Sequence, residues 1–317
     1  MAIKTYVYKT VDSNQQLEAD VHYATPKSAN DAPIALLIHG GGFCTGAKEH
    51  IPYNQIETLL ELGFVAVSVN YRLCPTISLY DGPLTDCKDC YAWCKTSLPP
   101  LLKKDTGISV DPRRLVTMGH SAGGTLALLM ATNPEPPLAI LDFYGAKYFS
   151  DDFSDNFWFS PNPALSKPDF PEQLIHKIWS EIPPPTSAML RHSEIAGPRT
   201  GTSASQPRNA YLFSGVANGT LLRTNTKDGK YERIDPCTFF TEGFPPVFFI
   251  HGVEDRVVPV RFSEKAYAEL KGMGVVTELR CVDGMEHAFD EGLGSKDADF
   301  ATVREGLEFL AKYAQAG

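Results

Sequence analysis

Residues 119–123 read Gly-His-Ser-Ala-Gly, with the apolar run "RLVTM" before them and "TLALLMA" after. A strand feeding a helix through such a turn puts the serine on a strained elbow with its hydroxyl exposed, and the flanking glycines let strand and helix pass closely. Ser121 is therefore the candidate nucleophile. The plain alternative is a tight strand–helix crossing that happens to contain a serine. An attacking serine creates an oxyanion, which needs fixed donors in a water-poor site, each worth about 3 kcal/mol of barrier. Residues 39–43, "HGGGF", follow the apolar run "IALLI". Three glycines in series carry a large entropic cost on folding. By themselves they would suit a strand-ending turn; beside a nucleophilic serine they read as an oxyanion loop. Gly41, Gly42 and Ala122 are the expected donors.

A serine needs a base, and the base an orienting acid. Eight histidines compete. His39 and His120 belong to the two motifs, His251 sits at a strand end, and His22, His50, His176 and His192 lie in segments without a supporting pattern. His287, in "VDGMEHAF", falls between the last expected strand and the terminal helix, where a loop would present it over a sheet. It is the expected base. In "FFIHGVEDRVVP", Asp255 stands just beyond a buried strand and is the expected acid, with Glu254 and Asp283 as alternatives. The chain order is then Ser, Asp, His.

The elements around these residues alternate. "KTYVYKTV" and "LEADVHYAT" read as an antiparallel pair about the turn "DSNQQ". "APIALLIHG", "FVAVSVNYR", "RRLVTM", "LAILDFYG", "PPVFFIHG" and "VTELRCVD" read as strands. Helical spacing marks "YNQIETLLELG", about Pro83 to Leu102, the stretch after Ser121, "RFSEKAYAELKGMG" and "DFATVREGLEFLAKYAQ". Strands alternating with helices, most strands apolar throughout, imply an α/β chain with a mostly parallel sheet covered on both faces. Residues 146–243 break the rhythm, being rich in Pro, Phe and Trp, and are expected to form an inserted cap on a core of 1–145 and 244–317.

The chain has 317 residues, 43% hydrophobic and 21% charged, with 29 basic and 38 acidic side chains and a formal charge of −9. That balance argues against nucleic acid or an anionic membrane as partner. The start lacks the apolar core of a signal peptide. The longest uncharged stretch, Leu115–Pro134, is too polar for a membrane span. Cys87, Cys90 and Cys94 share one helix face, but no partner pair with zinc-like spacing follows, so no metal and no cofactor is expected. Seven scattered cysteines fit a reducing, cytoplasmic setting.

Taken together, "HGGGF", "VNYRLCP", "VDPRRLVTMGHSAGG", "FIHGVEDRVVP" and "MEHAF" resemble, in running order, the hormone-sensitive-lipase-like carboxylesterase group of the α/β-hydrolases. The resemblance covers about two thirds of the chain. Its elbow reads Gly-His-Ser where Gly-Asp-Ser is commoner, and its start is shorter than the helical N-terminal cap many members carry. The cap is similar in style to fungal members, some of which serve natural-product pathways. The resemblance implies an α/β-hydrolase fold and cleavage of small to medium acyl esters through an acyl-enzyme. Phe43, with Phe157, Trp158 and Phe159 of the cap, would line an apolar pocket, unless the cap aromatics simply pack the insertion. Alternatives on the same fold are a polyketide-like thioester or a C–C bond step, and less favoured, an inactive small-molecule binder. The expected partner is a small acyl substrate; a homodimer is left open.

Overall fold

The computed structural model describes residues 1–11, 14–25, 31–149, 157–165, 172–188 and 207–315. Strands β1 (Ala2–Val11) and β2 (Gln15–Tyr23) form the antiparallel pair that alternation predicts. Gln15 and Gln16, read from their polarity as part of the turn, instead pair with Val11 and Thr10. Ladder hydrogen bonds use the backbone, so polar side chains at the turn end of an edge hairpin do not interrupt them.

The remaining strands are β3 (Ala32–Ile38), β4 (Val65–Val69), β5 (Val110–His120), β6 (Ile140–Phe143), β7 (Val247–Gly252) and β8 (Thr277–Val282). They complete one sheet of order β1-β2-β4-β3-β5-β6-β7-β8, parallel from β4 onward. Every residue of β3, β4 and β6 is buried. Successive residues of a strand face opposite ways, so Leu36 enters one core and Leu37 the other. Burial on both faces is why these strands read as unbroken apolar runs.

Helices α1 (Tyr53–Glu61) and α9 (Phe300–Gln315) cover one face, through Ile56, Leu59, Val303, Leu307 and Leu310. The other face receives α2 (Thr85–Thr96), α3 (Leu98–Thr106), α4 (Ala122–Leu129) and α8 (Arg261–Gly272), through Cys87, Leu98, Leu126 and Phe262. The expected single helix from Pro83 to Leu102 is two, α2 and α3, divided at Ser97. Pro99 and Pro100 have no N–H to extend the ladder of α2 but suit the first turn of a new helix. Cys87, Cys90 and Cys94 are buried free thiols in α2.

Between β6 and β7 the described residues carry short helices: α5 (Glu172–His176), α6 (Pro207–Asn218), α7 (Leu221–Thr226) and several single 3-10 turns. This stretch is tied to the loop after β3. Gly46 and Ala188 exchange two backbone hydrogen bonds of 2.8 Å, and Asn225 donates to the Gly42 carbonyl at 3.0 Å. Arg208 donates to the carbonyls of Cys44 and Cys74. Among the described residues no helix is long and apolar enough to cross a membrane.

The sheet and α4 meet most closely at Gly123, where a Cβ would lie 2.0 Å from the Ile38 carbonyl oxygen. That oxygen belongs to a buried central strand and cannot step aside cheaply. Gly123→Ala should therefore cost about 3 kcal/mol by overpacking and lower Tm by roughly 4–5 °C for a chain of this size. Thermal unfolding of the variant beside the parent checks this; an unchanged Tm would mean that α4 is not pressed against β3.

Candidate active site

The parallel strands bring the expected residues together at their carboxyl ends, the usual place for a site in such a sheet. Ser121 follows β5 with φ 54° and ψ −119°, a left-handed backbone that a non-glycine residue adopts only under constraint. The constraint is visible: its N–H donates to the Phe143 carbonyl at 2.8 Å, while its own carbonyl accepts from Gly124 and Thr125 in the first turn of α4. The side chain is thereby turned out of the crossing and toward His287.

His287 Nε2 lies 2.9 Å from Ser121 Oγ, and its Nδ1 lies 2.6 Å from Asp255 Oδ2. With Asp255 ionised, Nδ1 carries the proton and Nε2 is left as the acceptor facing the serine. Asp255 is held on every side. Its Oδ1 accepts from the Val257 and Val258 amides at 2.8 Å each, and Oδ2 also meets His251 Nε2 at 3.1 Å. Burial alone would raise this carboxyl's pKa; the His287 charge and the hydrogen bonds from His251 and His287 outweigh it and hold the group well below the usual carboxylate range. For His287 burial pulls the pKa down, but Asp255 pulls harder, and the result lies above the ordinary histidine value. The alternative acids, Glu254 and Asp283, are exposed.

Gly41 and Gly42 have φ of 107° and 58°, so the loop needs glycine for its backbone path as well as for access. At Gly41 a Cβ would lie 2.4 Å from the Thr45 carbonyl oxygen. Neither amide donates a hydrogen bond among the described residues. Ala122 opens α4, where the first amides have no acceptor within the helix. Gly41, Gly42 and Ala122 line the same cavity as Ser121.

Ser121 and His287 stand in a cavity of about 810 Å³. Phe43, Phe157 and Trp158 line it, with Phe149, Leu212 and Val216. Phe159, expected beside them, does not. It packs on Tyr231 at 4.8 Å between ring centres and under Arg223, because adjacent residues of a 3-10 turn point in different directions. Near Ile3 the wall is polar, with Asp20, His22, Lys48 and His50.

A buried network missed from the sequence braces the serine and the histidine. His120 Nε2 reaches Gln55 Oε1 at 3.0 Å and Asp290 Oδ2 at 3.1 Å; Asp290 also accepts from Gln55 at 2.6 Å and from the Tyr144 hydroxyl. The Tyr144 ring lies 4.7 Å from that of His287. His120 thus links the elbow to the loop that carries the base. Asp290 is three residues beyond His287, which was a usable signal; Gln55, on α1, offered none. Burial and Asp290 push Glu291, on the cavity wall, up to about 7. Among the described residues no group of three or more His, Cys, Asp or Glu is placed to hold a metal ion.

Residues 20–152 match the BD-FAE family and residues 217–317 the prolyl oligopeptidase family. In the fold the chain is similar to a protein of unknown function from Staphylococcus aureus, with TM-score 0.72, 20% identity and cover of 98% of this chain and 99% of that one. It is also similar to esterase 2 of Thermogutta terrifontis, with TM-score 0.64, 21% identity and cover of 98% and 91%. The esterase LipW of Mycobacterium marinum gives TM-score 0.66, 20% identity and cover of 98% and 82%. The chain thus shares the α/β-hydrolase fold of these esterases.

In sequence it is similar to fungal non-reducing polyketide synthases. That of Stereocaulon alpinum is 34% identical over 97% of this chain, and that of Penicillium rubens 31% over 95%. The chain spans 13% of the length of each.

The Asp255 contact should be readable directly. In a histidine NMR titration His287 is expected to titrate above 6.5, since the carboxylate favours the imidazolium. In Asp255→Asn the same signal should move to lower pH. A His287 value unaffected by that change would show that the two groups are not partners in solution.

Proposed function

We propose that this chain cleaves carboxylic esters and thioesters of bulky, largely apolar acyl groups through Ser121, His287 and Asp255. The observation that carries the reading is the Ser121–His287–Asp255 hydrogen-bonded chain, at 2.9 and 2.6 Å, inside a cavity of about 810 Å³ with aromatic walls. A cavity of that size accepts a drug-sized molecule rather than an acetyl group alone.

In this reading Ser121 Oγ attacks the acyl carbon while its proton passes to His287 Nε2. The carbonyl oxygen becomes an oxyanion facing the amides of Gly41, Gly42 and Ala122. The imidazolium then protonates the departing alcohol or thiol, and the C–O or C–S bond breaks to leave an acyl-enzyme. Water, deprotonated by His287, attacks the acyl carbon. Return of that proton to Ser121 Oγ releases the acid. Asp255 stays ionised throughout, fixing the imidazole tautomer and stabilising its cation. The likeness to polyketide synthases supports a thioester of a polyketide-like acyl group over a simple ester.

The test is steady-state turnover on p-nitrophenyl esters from acetate to decanoate and on an aromatic acyl N-acetylcysteamine thioester, with Ser121→Ala as the blank. Both substrate types should turn over, the aromatic thioester with the higher kcat/KM, and Ser121→Ala should lose at least about 10⁴-fold. Simple esters turned over faster than the thioester would return the reading to an ordinary carboxylesterase. Activity surviving in Ser121→Ala would remove the mechanism.

A further inference from the structure

Lys147 is fully buried, just beyond β6, and no step above uses it. Its Nζ lies 2.6 Å from the Gly145 carbonyl and 3.0 Å from Ser263 Oγ, with Asp142 Oδ2 as its ion-pair partner at 2.9 Å. Asp142, Ser263 and His251 are themselves wholly buried. A buried ammonium with no carboxylate would cost several kcal/mol; Asp142 removes that cost but does not explain why Lys147 is turned toward Ser263.

Hydrogen-bond accounting supplies the explanation. An ammonium only donates, so Ser263 Oγ accepts from Lys147 and must direct its own proton elsewhere. The nearest ring nitrogen is His251 Nδ1, at 2.8 Å. An Nδ1 that accepts leaves the proton of a neutral imidazole on Nε2. Nε2 faces two acceptors and no donor, the Val258 carbonyl at 2.7 Å and Asp255 Oδ2 at 3.1 Å. Every bond in the series then points the same way, from Lys147 through Ser263 and His251 to Asp255, and on the far side of Asp255 stand His287 and Ser121.

We propose that Lys147, Ser263 and His251 form a buried positioning relay that sets the His251 tautomer and so supplies Asp255 with a fixed donor opposite His287. With the other tautomer, His251 would present a lone pair to the carboxylate and to the Val258 carbonyl, and repulsion would turn Asp255 off the axis of His287. The relay also touches the cavity wall, since the Lys147 carbonyl accepts from Trp158 Nε1 at 3.0 Å and Trp158 stacks on Phe262, next to Ser263.

The relay acts on the reaction only through Asp255, so its catalytic effect rests on the function proposed above. The tautomer does not, and it is measured first. In the resting protein, ¹⁵N NMR of His251 should show the proton on Nε2 alone; a proton on Nδ1, or on both nitrogens near neutral pH, would overturn the relay. Ser263→Ala then removes the link with the loss of one oxygen. It should lower kcat about tenfold, the lower end of the range for outer partners of oriented groups, leave KM within twofold, and release His251 from the pure Nε2–H form. Ser263→Thr, which keeps the hydroxyl, should recover both. Wild-type kcat in Ser263→Ala, or a defect equal in the Ala and Thr variants, would overturn the proposal. Turnover that survives Ser121→Ala would instead sink the catalytic reading while the His251 tautomer still stands or falls by its own spectrum.

Discussion

The Asp255 side chain is fully buried, and an ion taken that far out of water is stable only if protein groups replace its hydration. Two backbone amides, His251 and His287 do so. Much of the architecture near the site follows from this need. The turn after β7 folds back so that the Val257 and Val258 amides point inward. β8 lies beside β7, which brings the loop carrying His287 within reach. The same hydrogen bonds that keep the carboxylate charged also aim it, so stability and orientation come from one set of contacts.

A second buried acid repeats the solution on the other side of the site. Asp290 is fully buried and surrounded by His120, Gln55 and Tyr144. It joins the elbow, helix α1, the end of β6 and the His287 loop. The unusual histidine in the Gly-His-Ser elbow acquires its meaning here. Its ring stacks on Phe143 at 4.4 Å and gives Nε2 to the network, so it braces the turn from beneath. The two acids therefore hold the base loop from opposite ends, one through His287 itself and one three residues later.

The glycine loop shows how local backbone freedom and distant packing meet. Gly41 and Gly42 take backbone angles that other residues resist, and neither amide donates to another group among the described residues. The path is then held by groups far along the chain: Ala188 on Gly46, Asn225 on Gly42, and Arg208 on Cys44. A loop that must keep donors fixed during a reaction gains from such anchoring, since a donor that has to reorganise loses most of its electrostatic value.

Much of this was legible in the residues. Unbroken apolar runs implied strands buried on both faces, glycines around Ser121 implied a close strand–helix crossing, and the order of Ser121, Asp255 and His287 picked one histidine out of eight. These are readable because each depends on residues near one another in the chain. The Gln55–His120 bond spans 65 positions and Lys147–Ser263 spans 116; nothing local to a glutamine or a lysine tells that it will be buried against a particular partner. Phe159 is the reverse case, an aromatic beside two cavity residues that faces away because of a single turn of 3-10 helix. The sequence by itself determined the fold class and which side chains could carry the chemistry. Only the tertiary structure decided which buried groups hold them in place, because satisfying a buried charge or donor depends on proximity in space, which spacing along the chain does not encode.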